Sequence, residues 1–161
     1  MTNRENLESA SENWDRSDIE VGMGECCEGR GDRLIKTGGL GPCIGVAIYD
    51  PFEKKGYIAH TMGAESATIA NLSAKLAVKI KNAAKLKVWI SGGEISDEDE
   101  YYPNFREDVV SLITELGVRS DNIEIKWINI HGQWGNLTLN CGTGEGKIEI
   151  DSMRDDDAYD Y

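Results

Sequence analysis

The chain has 161 residues and carries 17 basic against 29 acidic side chains, a net charge of −12. That length fits one domain, large enough to bury a core without staples. The acidity argues against nucleic acid or an anionic membrane as partner, since both need a clustered positive surface, and leaves proteins as the expected partners.

Residues 1–18 are rich in Asn, Ser, Glu and Asp and offer little to bury, so a disordered N-terminal tail is expected before a domain spanning 19–150. The acidic segment 151–161 reads as a second tail. The N-terminus lacks the apolar stretch of a signal peptide, and nothing approaches the ~18 apolar residues of a membrane span, so the expected location is cytoplasmic. The thiols of Cys26, Cys27, Cys43 and Cys141 are then expected to stay reduced. No C-x-x-C or H-x-x-x-H pair is present, so no zinc site is expected.

Ile19 to Glu25 alternates apolar with small or polar residues and is predicted as a strand; Glu28 to Arg33 reads as a charged turn, and Arg33 to Thr37 as a second short strand. Thr37 to His60 forms the centre of the chain. A glycine-rich loop (Gly38, Gly39, Gly41) leads to Cys43 and the apolar run Ile44 to Tyr49; a polar turn at Asp50 to Gly56 follows, and a second short run ends on His60. Pairing of these two strands is expected to bring Cys43 and His60 side by side.

Beyond them, Ile69, Leu72, Leu76, Ile80 and Ala83 recur at helical spacing within Ser66 to Ala84. Leu86 to Ile90 is a short strand before Ser91-Gly92-Gly93, and the acidic stretch after it is expected to be exposed. Asn104 is the expected cap of a second helix, Phe105 to Leu116, stopped by Gly117. Three strands close the chain, at Ile123 to Ile130, Gly135 to Cys141 and Lys147 to Ile150. The predicted class is α/β in the α+β sense: mixed or antiparallel sheets in layers, with two main amphipathic helices packed on them.

Two readings stand for the Cys43 and His60 pair. A cysteine opening an apolar run is usually a small core residue, and a single histidine is more often structural than catalytic. The functional reading is a thiol nucleophile with an imidazole as its base, because a free thiol is largely protonated near neutral pH and needs such help. Thr37, six residues before Cys43, can hold the imidazole in one tautomer. Gly38, Gly39 and Gly41 can turn backbone N–H groups toward an oxyanion or simply make a turn, and Pro42 has no N–H to offer. His131, beside Gly132, is expected to be exposed.

Three blocks of the chain resemble the chemoreceptor glutamine deamidase family, CheD. They are Val21-Gly22-Met23-Gly24-Glu25, the stretch from Thr37 through Leu40-Gly41-Pro42-Cys43 to Tyr49-Asp50, and Lys55-Gly56-Tyr57-Ile58-Ala59-His60. The likeness extends over about residues 19–150. It implies a CheD-like single domain in which Cys43 is the nucleophile, His60 the general base and acid, and Thr37 the residue that orients His60. It implies a protein-glutamine deamidase, a hydrolase that converts chemoreceptor glutamines to glutamates through a Cys thioester without metal or organic cofactor. Chemoreceptor cytoplasmic helices are the implied substrate and a CheC-type phosphatase a further partner. Pro42 stands where the family usually has Ser, and Thr61-Met62-Gly63-Ala64 departs from the family's segment after the His. The alternative is a CheD-like module that has lost useful turnover and regulates a CheC-type phosphatase by binding.

Overall fold

The structure is a computed structural model, which describes residues 18–62, 71, 72, 76, 82–95 and 105–153. It is built mostly of strands in two mixed sheets. The first has the order β1-β3-β8-β9, from Ile19–Glu20 (β1), Leu34–Leu40 (β3), Gln133–Asn140 (β8) and Gly146–Ser152 (β9). The second has the order β2-β5-β4-β6-β7, from Cys26–Arg30 (β2), Ile44–Asp50 (β4), Lys55–Thr61 (β5), Lys87–Gly92 (β6) and Ile123–Trp127 (β7). The helix Phe105–Glu115 (α1) lies between β6 and β7 in sequence, and those two strands pair in parallel, a connection no tight turn can make.

The five-stranded sheet is the middle layer. Ala47, Tyr49 and Ile58 pack with Ile35, Leu40, Leu137 and Leu139 of the other sheet. Val46, Ile48, Ala59, Val88 and Ile90 face the opposite way and pack with Val109 and Ile113 of α1 and with Leu72 and Leu76. Every residue of β4 is therefore buried, which is why Ile44 to Tyr49 reads as a continuous apolar run with no alternation. The turn after it is held by Asp50, whose Oδ1 accepts the N–H groups of Phe52 at 2.9 Å and Glu53 at 3.3 Å.

Some expectations are corrected. Beyond Glu20, the predicted Ile19 to Glu25 strand gives way to a turn in which Glu25 N–H donates to the Gly22 carbonyl (3.0 Å) and Gly24 takes φ +81°. Part of the predicted charged turn is instead β2, an edge strand paired with β5. Strand β9 continues through Asp151 and Ser152, into the segment expected to be a tail. Glu94, expected in an exposed acidic stretch, keeps only 15% of its side chain exposed. Of the predicted helix Ser66 to Ala84, Asn71, Leu72 and Leu76 are helical and Ala83–Lys85 forms a 3₁₀ turn, while its remaining residues other than Asn82 lie outside the described ones, as does Asn104. The rest of both predicted tails, Asp18 aside, also lies outside them. Among the described residues, no helix is long and apolar enough to cross a membrane.

Candidate active site

The antiparallel pairing of β4 with β5 sets Gly45 opposite His60 and Ile44 opposite Thr61. Cys43, one residue before β4, therefore lies two positions along from His60's partner and on the same face of the hairpin, a diagonal neighbour. That face looks toward the four-stranded sheet. Gly45 suits the crossing, because a Cβ there would come 2.7 Å from Leu40 Cδ1 and 3.0 Å from Leu137 Cδ1.

Thr37 reaches the same space from β3. Its Oγ1 is 2.7 Å from His60 Nδ1 and donates to the Val21 carbonyl, also at 2.7 Å. A hydroxyl has one hydrogen and a carbonyl can only accept, so the arrangement that satisfies both contacts has Nδ1–H donating to Thr37. Nε2 is then the unprotonated nitrogen. It is buried without a hydrogen-bond partner. The main chain of His60 is tied by the Gly22–Glu25 turn: Gly24 N–H donates to the His60 carbonyl (2.8 Å) and His60 N–H to the Glu25 carbonyl (3.0 Å).

Burial moves both groups toward their neutral forms. It pushes the Cys43 thiol up and holds the His60 imidazole below the ordinary histidine range, in each case through loss of water. At neutral pH the resting pair is a neutral thiol beside a neutral imidazole. The Cys43 thiol donates to Met23 Sδ at 3.8 Å.

The loop before the thiol is shaped by a β-bulge. The β3–β8 register shifts by one between Thr37↔Leu137 and Leu40↔Gly135, and Gly39 at φ +66° takes up the extra residue. Gly41 N–H donates to the Gly39 carbonyl (3.0 Å), and Pro42 is exposed. The far side of the loop is clamped by the end of β6, where Gly93 N–H donates to the Cys43 carbonyl (2.9 Å) and Glu94 N–H to the Gly41 carbonyl (2.8 Å). Arg106 of α1 locks this clamp: Nε donates to the Gly93 carbonyl (2.7 Å), Nη2 to the Ile128 carbonyl (2.8 Å), and the guanidinium lies 4.9 Å from the Trp127 ring centre.

Cys43, His60 and Thr37 thus converge on one end of the space between the sheets, with Gly38, Gly39 and Gly41 beside them. Sequence reasoning missed Val21, Met23, Gly93 and Arg106. The Val21 contact is a backbone carbonyl and leaves no signature; the Gly-x-Gly around Met23 was a turn signal read as a strand. His131 is exposed and hydrogen-bonded to Glu94 (3.1 Å). Cys26, Cys27, Cys43 and Cys141 form no disulfide. Among the described residues no cluster of His, Cys, Asp or Glu could hold a metal ion.

Fold and site together describe a two-sheet α+β domain that gathers a thiol, an imidazole and a hydroxyl at the mouth of its inter-sheet core. No protein-family profile matches the chain. It is similar to curated relatives called probable chemoreceptor glutamine deamidase CheD: 26% identical over 153 residues to that of Pyrococcus abyssi, covering 83% of this chain and 90% of the relative, and 29% identical over 156 residues to that of Clostridium novyi, covering 87% and 90%. A third, Probable chemoreceptor glutamine deamidase CheD 1 of Methanosarcina acetivorans, is 52% identical over 44 residues, spanning 27% of this chain and only 28% of its own length. The chain resembles the CheD family across most of its length. A solved Bacillus licheniformis protein, YfiH, overlaps 63% of the chain and 50% of its own at 15% identity and a TM-score of 0.49, too slight a likeness to bear on fold or function.

Proposed function

We propose that the protein is a protein-glutamine deamidase, a hydrolase that converts glutamine side chains on the cytoplasmic helices of chemoreceptors to glutamate and so acts in chemotaxis in the cytoplasm. The observation that carries this reading is the 2.7 Å contact of Thr37 Oγ1 with His60 Nδ1, which leaves Nε2 buried without a partner in a strand position on the same hairpin face as Cys43. The CheD names of relatives that align over most of the chain supply the substrate class.

In the proposed reaction Nε2 takes the Cys43 proton as Sγ attacks the amide carbon. The resulting oxyanion forms beside the loop of Gly38, Gly39 and Gly41, where the missing side chains let substrate approach the backbone. As the C–N bond breaks, the imidazolium returns the proton to the nitrogen and ammonia leaves. Water then attacks the thioester with Nε2 again as base, and Sγ departs with the proton, leaving glutamate. Thr37 holds the tautomer throughout and stabilises the imidazolium through Nδ1–H. The chemistry draws on the thiol and the imidazole and calls for no metal or organic cofactor. Each turnover adds one negative charge to the receptor helix, enough to alter its packing.

The test is peptide mass spectrometry of a chemoreceptor cytoplasmic fragment incubated with the protein or with Cys43→Ala. A Gln-to-Glu shift with the wild type alone is expected, and it names the sites. Binding of a CheC-type phosphatase, the other partner in this proposal, should persist in Cys43→Ala. No shift together with such binding would favour a regulatory module over an enzyme.

A further inference from the structure

Met23 is 57% exposed, yet its Sδ lies 3.8 Å from the nucleophile's sulfur. It occupies the second position of the Gly22–Glu25 turn, whose geometry depends on the left-handed Gly24. Because this turn is hydrogen-bonded on both sides of the His60 main chain, the placement of Met23 is fixed relative to the imidazole as well as the thiol. Met62, 54% exposed, follows the Ile44↔Thr61 pair, so the strand register carries it to the position opposite Cys43.

An amide carbon in attack position must come within about 3–3.5 Å of the sulfur. The Met23 thioether, at 3.8 Å, stands just outside that shell in the open approach to the sulfur, so an incoming side chain must move it aside and will then lie against it. Methionine suits this, being unbranched, flexible and polarisable. We propose that Met23 is a specificity-determining residue of the Cys43 site: its thioether covers the resting thiol and, when substrate enters, forms the surface on which the two-carbon stem of the target glutamine packs. The site thereby selects a neutral amide carried on an aliphatic stem. The stem role rests on the deamidase reading; the covering role does not.

The experiment compares wild type, Met23→Ala and Met23→Leu in two assays. The first is the rate of Cys43 alkylation by iodoacetamide, followed on the Cys43 peptide by mass spectrometry with no substrate present. The second is kcat and KM for deamidation of a chemoreceptor cytoplasmic fragment. Met23→Ala is expected to alkylate several-fold faster while losing about tenfold in kcat/KM, chiefly through KM; Met23→Leu should stay near wild type in both. Unchanged alkylation in Met23→Ala overturns the covering role. Faster alkylation with unchanged kcat/KM overturns the stem role. A parallel fall in both rates overturns the proposal, since Met23 would then only hold the hairpin in place. Wild type that alkylates at Cys43 but produces no Gln-to-Glu shift defeats the deamidase reading and the stem role with it, while the covering role is still decided by the alkylation rates.

Discussion

The Thr37 hydroxyl stands 2.7 Å from His60 Nδ1 while donating its one hydrogen to the Val21 carbonyl. In the proposed mechanism a neutral threonine takes the place a buried carboxylate holds elsewhere, fixing the tautomer without placing a negative charge near the site. Thr37→Val keeps the shape and removes the acceptor. It should lower kcat by about a hundredfold or more, within the range attributed to a positioned acid or base, whereas Thr37→Ser should retain most activity. Imidazole nitrogen chemical shifts check the cause: wild type and Thr37→Ser should show Nδ1–H, and Thr37→Val a mixture of tautomers.

Acid should act on both stability and rate through His60. Its folded pKa is held below the unfolded value by burial. As pH falls below about 6.5 the unfolded chain takes up a proton that the folded chain resists, so stability declines until the folded pKa is passed. Denaturant midpoints measured between pH 7.5 and 5 should fall for wild type and fall less for His60→Asn. The acid limb of kcat/KM should lie below the ordinary histidine range, because only the neutral imidazole can take the thiol proton.

The thiol gives a complementary prediction. Burial raises its pKa, and no charged group figures in the shift. In the substrate-free protein, Cys43 alkylation by iodoacetamide should keep climbing with pH beyond the usual cysteine range of about 8.5, with no plateau near neutrality. A plateau below pH 7 would mean a thiolate–imidazolium pair, and the neutral resting pair would be wrong.

How much of this was legible in the sequence depended on how each element is covered. Strand β4 was plain because both faces are packed, so Ile44 to Tyr49 carry a continuous apolar signal. Strand β2, Cys-Cys-Glu-Gly-Arg, lies at a sheet edge with only Gly29 fully buried, and nothing in its composition separates it from a charged turn. The thiol and imidazole could be associated because both sit in one hairpin and the turn length fixes their offset. The predicted side-by-side pairing was two residues out, since Gly45 and not Cys43 faces His60. Arg106 could not be tied to the loop at all, because its partners are carbonyls of Gly93 and Ile128, contributed by tertiary folding.

Arg106 links α1 to the Cys43 loop through the Gly93 carbonyl, and Gly93 N–H holds the Cys43 carbonyl in turn. Arg106→Met keeps the bulk over Trp127 but strands two carbonyls. A loss of about 1–3 kcal/mol in stability is expected from urea titration. A lysine cannot present the same planar fork, so Arg106→Lys should recover little of it. Because the clamp fixes the loop, kcat should fall more than KM rises in both variants.

Gly92 offers the sharpest test of that clamp. Its φ is +98°, and a Cβ there would strike the Cys43 carbonyl oxygen, a backbone atom that cannot swing aside as a side-chain tip can. Gly92→Ala must therefore either strain its own backbone or push the Cys43 loop away from β6, breaking the Gly93-to-Cys43 hydrogen bond. Left-handed strain alone costs about 1–3 kcal/mol, and displacement of the loop adds to it. Gly31→Ala is the matched control, since Gly31 also has positive φ, at +68°, but nothing lies within 4 Å of an added Cβ and it stands away from the site. The expected result is a modest loss of stability with measurable turnover for Gly31→Ala, and a larger loss with no turnover for Gly92→Ala. Equal effects of the two substitutions would mean that backbone strain alone matters and that close packing of β6 on the Cys43 loop does not position the thiol.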